Sequence, residues 1–372
     1  MRLIRPLFVA RLAALLLGVA VCLPSGAEAQ SSKTSRKTPA RSTTSARKTV
    51  VKKKPTYSAS TAAARRARLA RARAAARARE AARVRAAAAA LREAMTPRFR
   101  TDENGLQIPD LRAEAAIAFN PITGEVLWEE NAQDKRPIAS ITKVMTAVVF
   151  LEDNPDLSQV VTVERSDVYA ASTTYLRANE RVSVHNLLHL TLIASDNAAA
   201  RALARVSHGG TASFVERMNE KAIELGLEST TFADPSGLNP ANISSAYDLS
   251  RLISFAAADE RIAPIMRTPN YQLTVGRRTV RINNTNKLLA GSGVDVMGGK
   301  TGFISKAGYC LATLLRLPQS EQTVAVVVLG AKSNTGRFWE TRHLFNWLTS
   351  QASTLFGTKE QISQELAQAD RN

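Results

Sequence analysis

Residues 138–148 read IASITKVMTAV and place one serine and one lysine in an otherwise apolar, helix-forming run. Ser140 and Lys143 stand three apart, so on a helix they share a face about one turn apart. Their neighbours Ile141, Val144, Met145 and Val148 have the spacing of side chains that bury themselves. An ammonium in such company loses hydration, which favours its neutral form and makes it a base. The stretch therefore predicts a helix from Ser140 with a hydroxyl and a basic amine on its buried side.

Strand patterns flank the helical region on both sides. Upstream, AAIAFN, PITG and EVLWEEN (115–131) read as strand, turn, strand. After the first helix come further helical stretches at VSVHNLLHLTLIAS, NAAARALARVS and TASFVERMNEKAIELGL. Then YQLTVG, TVRINN, YCLATLLRL and TVAVVVLG read as strands, and RFWETRHLFNWLTSQASTLF as a closing amphipathic helix. Strands at both ends with helices between predict an α+β fold: an antiparallel sheet carrying helices.

A Ser-x-x-Lys pair alone means little, since Ser45 and Lys48 repeat the spacing in a polar stretch with nothing to bury. Ser140 and Lys143 gain weight from company. Ser195-Asp196-Asn197 falls where the apolar helix LLHLTLIA ends. Lys300-Thr301-Gly302 falls between the Gly-rich GSGVDVMGG, read as a turn, and a strand. A serine hydroxyl needs a base within hydrogen-bond reach before it can act as a nucleophile. Lys143 can be that base if burial lowers its pKa, and Lys300, folded against it, adds a like charge. Ser195 can relay the proton to a leaving amine, and the Asn197 amide can hold a substrate backbone. Lys300 and Thr301 suit a substrate carboxylate, and Gly302 allows close approach of a substrate backbone to the strand. The backbone N–H groups of Ser140 and Phe303 are the expected oxyanion donors.

In that order and spacing, the three motifs resemble those of the penicillin-binding proteins and class A β-lactamases. From about 110 to 350 the chain resembles the low-molecular-mass DD-peptidases, in RPIASITKVMTA, LLHLTLIASDNAAARALA, FVERMNEKAIELGLESTTFADPSGLNPANISSAYDLSRL, NTNKLL and MGGKTGFISKAGYCLA. The Ser-Asp-Asn motif and the short C-terminal remainder resemble most the type-7 DD-endopeptidases. The resemblance implies a β-lactamase/DD-transpeptidase-like fold, with a sheet flanked by helices and a helical subdomain. It implies Ser140 as acyl-ester nucleophile, Lys143 as proton acceptor, Ser195 as relay and Lys300 as carboxylate contact. It also implies peptidoglycan as substrate, β-lactams as covalent inhibitors, and cleavage of D-Ala–diaminopimelate cross-links or removal of a terminal D-Ala.

The rest of the 372 residues frames that domain. Arg2, Arg5 and Arg11, the apolar LAALLLGVAVCL and Ala27-Glu28-Ala29 have the form of a secretory signal peptide (1–29), predicting export to the periplasm. Cys22 invites a lipoprotein reading, which the bulky Val21 before it opposes. Cys310 is the other cysteine, so the mature chain has no internal disulfide to form and Cys310 reads as a buried strand residue. The net charge of +18 is unevenly spread: residues 30–100 hold 21 Lys and Arg against two acids, and residues 101–372 hold 26 against 29. Residues 30–61 read as a disordered basic linker and 62–100 as an Arg/Ala-rich helix with no core-facing stripe. That helix is either a charged spacer or a contact for an anionic cell-wall or membrane surface. Export and the absence of interleaved aromatics argue against nucleic acid. The catalytic domain is expected over 106–357, and a polar tail over 358–372.

Three rivals carry specific objections. A class A β-lactamase deacylates with the Glu of a Glu-x-x-Leu-Asn element. The nearest stretch here, DPSGLN (234–239), begins with Asp and has one residue too many. His185 and His189 have metalloprotease spacing, but Asn186 stands where that motif needs Glu, so neither metal nor cofactor is expected. A non-catalytic wall-binding protein would have no use for Ser140, Lys143 and Lys300 together.

Overall fold

The computed structural model describes residues 59–291, 293–318 and 322–351. The expected signal peptide with Cys22, nearly all of the linker and the polar tail lie outside the described residues. The chain divides into a unit of Met1–Arg71 and a unit of Ala72–Asn372.

Helix α1 spans Ala59–Met95. Ala and Arg without Gly or Pro give it its propensity, and Pro97 disfavours a helical Thr96 and ends it. Thr96 closes the last turn, its N–H and hydroxyl both donating to the Arg92 carbonyl. The Arg112 guanidinium donates to the carbonyls of Glu93 and Ala94 in the last turn. The helix thus stops short of the expected residue 100. Strands β1 (Phe99–Thr101) and β2 (Gln107–Pro109) form an antiparallel hairpin instead. The Asp102 carboxylate accepts the Asn104 and Leu106 N–H groups in its turn. The folded domain therefore begins before the expected 106.

Next come β3 (Ala115–Phe119), β4 (Val126–Glu130), β5 (Arg136–Pro137), α2 (Thr142–Glu152), β6 (Val160–Thr162), α3 (Arg165–Val168) and β7 (Arg181–Ser183). They are followed by α4 (Val184–Leu192), α5 (Asn197–Val206), α6 (Gly210–Glu224), β8 (Ile243–Ser244), α7 (Ala246–Ala258) and α8 (Ala263–Arg267). The chain then forms β9 (Asn270–Val275), β10 (Arg278–Asn283), β11 (Asp295–Ile304), β12 (Gly308–Arg316), β13 (Thr323–Ala331) and α9 (Asn334–Ser350).

The main sheet has the order β11-β12-β13-β3-β4, antiparallel throughout, so N-terminal and C-terminal strands meet at β13 and β3. The unbroken apolar run of β13 is explained by burial on both faces. Val324, Val326 and Val328 pack in one core with Phe338, Leu344 and Leu348 of α9. Ala325, Val327 and Leu329 pack in the other with Leu249, Leu252 and Ile253 of α7. Each such valine or leucine contributes roughly 1.5–3 kcal/mol on burial. Beyond α7, the helices α2, α4, α5 and α6 pack together as the helical subdomain, and residues 142–151 of α2 are buried without exception. Side-chain caps mark its chain turns: Ser183 accepts the Asn186 N–H, and Asp196 the Ala199 N–H.

Candidate active site

Ser140 lies in the single 3-10 turn Ala139–Ile141 that leads into α2, so its hydroxyl is partly exposed while the helix behind it is buried. The residue before it, Ala139, is fully buried with φ at +50°, a conformation that non-glycine residues rarely adopt. Two glycines hold that turn from outside. A β-carbon on Gly237 would lie 2.0 Å from the Ala139 carbonyl oxygen, and one on Gly302 would lie 2.6 Å from that of Ile138. Only glycine lets both segments press on the backbone that presents Ser140.

Lys143 is wholly buried, and its ammonium donates to three acceptors: Ser140 Oγ (2.9 Å), Asn197 Oδ1 (2.6 Å) and the Ser236 carbonyl (2.5 Å). Burial pushes its pKa down to about 7; Arg201 adds to the fall, and the Asp196 and Asp234 carboxylates oppose it. The geometry fixes what a neutral lysine does. Amide and peptide carbonyl oxygens only accept hydrogen bonds, so both remaining N–H groups go to Asn197 and Ser236. The lone pair is then left facing Ser140 Oγ.

Asn197 departs from the sequence expectation. It is buried, its Oδ1 is taken by Lys143, and its Nδ2 donates to the Ala171 carbonyl (2.6 Å) and to Ser172 Oγ (3.2 Å). The amide orients the lysine, with no free end turned to a substrate backbone. Ser195 sits between α4 and α5 at φ +59°, and its Oγ accepts from Lys300 Nζ at 2.8 Å. Lys300 also donates to the Thr301 carbonyl, and its pKa is held well below the ordinary value by burial, then by Lys143 and Arg337. Burial is thus the first cause for both lysines, and having two cations close together disfavours charge on the pair.

Lys300-Thr301-Gly302 lies inside β11, where the sequence reading placed it after a turn. Gly298, Gly299 and Gly302 belong to an edge strand, the first two pressed by the side chains of Met266, Ala257, Asn286 and Thr313, a pattern that composition alone reads as turn. The reason for Gly302 is likewise internal: contact with Ile138 to Ser140. Thr301 Oγ1 bonds Thr285 Oγ1 at 2.7 Å. Phe303, which follows Gly302, is half-exposed and its ring stacks on Tyr309 at 4.3 Å. Arg337 is buried on α9 and donates to the carbonyls of Gly302 (2.9 Å) and Cys310 (3.2 Å), pinning the strand.

Residues missed from sequence act through their backbone or through another side chain. Asp234 accepts four hydrogen bonds from its own turn: Ser236 N, Ser236 Oγ, Gly237 N and Asn239 N. It braces the loop that carries the Ser236 carbonyl and Gly237 to Lys143 and Ser140. Thr146 Oγ1 ties α2 to the Pro235 carbonyl of the same loop (2.6 Å). The signal available in the sequence was the turn chemistry of Asp-Pro-Ser-Gly. His189 stacks on Tyr271 at 4.3 Å and its Nδ1 pairs with the His185 carbonyl at 2.8 Å, which are packing roles.

A serine with a desolvated lysine at its side, on an antiparallel sheet with a helical subdomain, defines an active-serine hydrolase with an amine base. The chain belongs to the peptidase S11, or D-alanyl-D-alanine carboxypeptidase, family, whose model matches residues 102–333. It is 35% identical over 227 residues to the D-alanyl-D-alanine endopeptidase of Haemophilus influenzae, covering 60% of this chain and 78% of that one. It is 34% identical over 258 residues to the carboxypeptidase DacC of Escherichia coli, covering 66% and 63%. The crystal structure of the DD-transpeptidase of Streptomyces K15 superposes with a TM-score of 0.61 at 31% identity, over 65% of this chain and 98% of that one. The expected DD-transpeptidase-like fold is therefore the one observed.

Proposed function

We propose that the protein is a serine DD-peptidase of the bacterial cell envelope, cutting D-Ala–diaminopimelate cross-links of peptidoglycan, removing terminal D-Ala, or both. The observation that carries the reading is Lys143, buried, near neutrality and aimed at Ser140 by two carbonyl acceptors. Neutral Lys143 takes the Ser140 proton as Oγ attacks the D-Ala carbonyl carbon. The N–H groups of Ser140 and Phe303 hold the oxyanion. Ser195 gives its hydroxyl proton to the departing amine as the C–N bond breaks and regains one from the Lys300 ammonium that donates to its Oγ. Water then adds to the Ser140 ester, its proton returning to Ser140 Oγ, and solvent carries the proton held by Lys143 back to Lys300. Lys300 and Thr301 take the carboxylate of the substrate. The relatives' names cover both endopeptidase and carboxypeptidase activity, which supports keeping the two substrates together.

Around this domain we assign residues 1–29 to a signal peptide, the basic stretch from 30 to the start of α1 to a linker and 358–372 to a polar tail, with the mature protein in the periplasm. Among the described residues, no helix is long and apolar enough to cross a membrane. β-Lactams are the expected covalent inhibitors.

The test is the intact mass of the protein after mixing with benzylpenicillin, beside Ser140→Ala and Lys143→Ala. A persistent single adduct, missing from both variants, is expected. Rapid return to the free mass with penicillin consumed would mean a β-lactamase. No adduct would leave a non-catalytic wall-binding protein. The brace role of Asp234 favours the first outcome, because its oxygens are engaged in the turn.

A further inference from the structure

Helix α1 takes no part in the proposed chemistry, yet it carries the largest net charge among the described elements. Between residues 59 and 95 it holds ten arginines, no lysine and two acids, Glu80 and Glu93. Residues 61–93 are exposed without exception. Among the described residues one ion pair involves those arginines, Arg83 with Glu80 at 3.9 Å. The ten charges repel one another, which is a cost unless something anionic covers them.

The placement of the arginines separates the two kinds of anionic partner. Arg79 and Arg83 are one turn apart and share one side of the helix, whereas Arg85 and Arg92 project from roughly the opposite side. A flat membrane meets a helix along one side only, and a helix that lies on lipid also inserts an apolar face of Trp, Phe or Leu. Here Leu69, Val84 and Leu91 are the sizeable apolar residues short of the last turn, each isolated among arginines and alanines. Charge on all sides suits a partner that surrounds the helix, namely a network of flexible anionic strands. Guanidinium groups pair with carboxylates in two parallel hydrogen bonds, which lysine does not do.

We propose that α1 is a binding element for the peptidoglycan network itself, through the free carboxylates of its stem peptides. The inference rests on the DD-peptidase reading, because the polymer that α1 grips is the polymer cut at Ser140. Attachment converts encounters with successive peptides into local ones and raises their effective concentration without any new contact at the site.

The test uses the full-length mature protein carrying Ser140→Ala, so that the polymer is not digested. It is sedimented with purified insoluble peptidoglycan, beside a second protein that also carries Arg65→Gln, Arg66→Gln, Arg68→Gln, Arg71→Gln and Arg73→Gln. Glutamine keeps the helix propensity, and circular dichroism checks that the helix remains. The five substitutions are expected to weaken binding by about tenfold or more, as is a rise to about 0.5 M salt. Blocking the carboxylates of the polymer by amidation should do the same. Binding unchanged by the substitutions or by amidation would overturn the proposal, as would tighter binding to anionic phospholipid vesicles than to the polymer. With Ser140 intact, the arginine variant should still form the penicillin adduct. Failure of the adduct in the unsubstituted protein would refute the DD-peptidase reading, whereas sedimentation decides the role of α1.

Discussion

Gly237 approaches Ala139 so closely that a β-carbon on it would lie 2.0 Å from the Ala139 oxygen and 2.9 Å from the Ser140 nitrogen. Gly237 itself has φ at +81°. Gly237→Ala therefore strains the loop and displaces the peptide that presents the nucleophile. A left-handed alanine costs about 1–2 kcal/mol and overpacking about 1–3 kcal/mol. A shift of the nucleophile by roughly 1 Å costs about 100-fold in rate. The penicillin acylation rate is expected to fall by about that factor, with a lower Tm. A variant that acylates at the normal rate would show that this contact does not position Ser140.

The pH dependence of acylation follows from Lys143. Its neutral form is the base, and its pKa lies at about 7. The acylation rate should rise with pH, reach half its plateau near pH 7, and drop about tenfold per unit well below it. Stopped-flow acylation from pH 5 to about 9 measures this. A flat profile would mean that Lys143 is not the group that accepts the proton.

Asn197 offers a change that leaves shape almost untouched. Asn197→Asp puts a carboxylate 2.6 Å from the Lys143 ammonium, where the neutral amide oxygen now sits. An adjacent negative charge favours the charged lysine. The midpoint of the acylation profile should move upward by one unit or more, with a slow reaction at pH 7 that recovers in alkali. A fall in rate with no shift of midpoint would give Asn197 a substrate-holding role instead.

Cys310 provides a reporter of folding. It is fully buried on β12, and burial pushes its thiol up to about 11. Iodoacetamide should leave it unmodified in the native protein at pH 8 for hours and modify it at once in denaturant. Rapid labelling of the native protein would mean that β12 opens locally.

What the sequence made legible is what its side chains say directly. Ser140, Lys143, Ser195 and Lys300 could be named because hydroxyl and amine groups are chemically conspicuous, and the structure joins them in two hydrogen-bonded pairs. Strands β3, β4, β12 and β13 of the main sheet could be read from apolar runs, whereas the glycines of β11 read as a turn. The Ser236 carbonyl could not, since any residue carries one, and its use depends on a turn folded by Asp234 from far along the chain. Helix α7 was visible only through the family resemblance of AYDLSRL, and the β1–β2 hairpin was hidden by the continuity of basic residues out of α1. Asn197 was given to the substrate because an amide reads as a substrate contact. That its two ends were already engaged is a tertiary fact.

Two lysines in the interior, Lys143 at 0% and Lys300 at 1% exposure, also bear on how this protein folds. The unfolded chain keeps their ordinary pKa of 10.5, whereas folding lowers Lys143 to about 7 and Lys300 well below its ordinary value. Between pH 7 and 10.5 the unfolded state binds a proton at Lys143 that the native state has given up, and Lys300 adds in the same direction. Stability contributed by these groups is therefore full above 10.5 and is lost as pH falls toward 7. Folding near neutrality releases protons into the medium, so the step that assembles the nucleophile is itself an acid-producing reaction, and the cost of preparing the base is met once, when the chain folds.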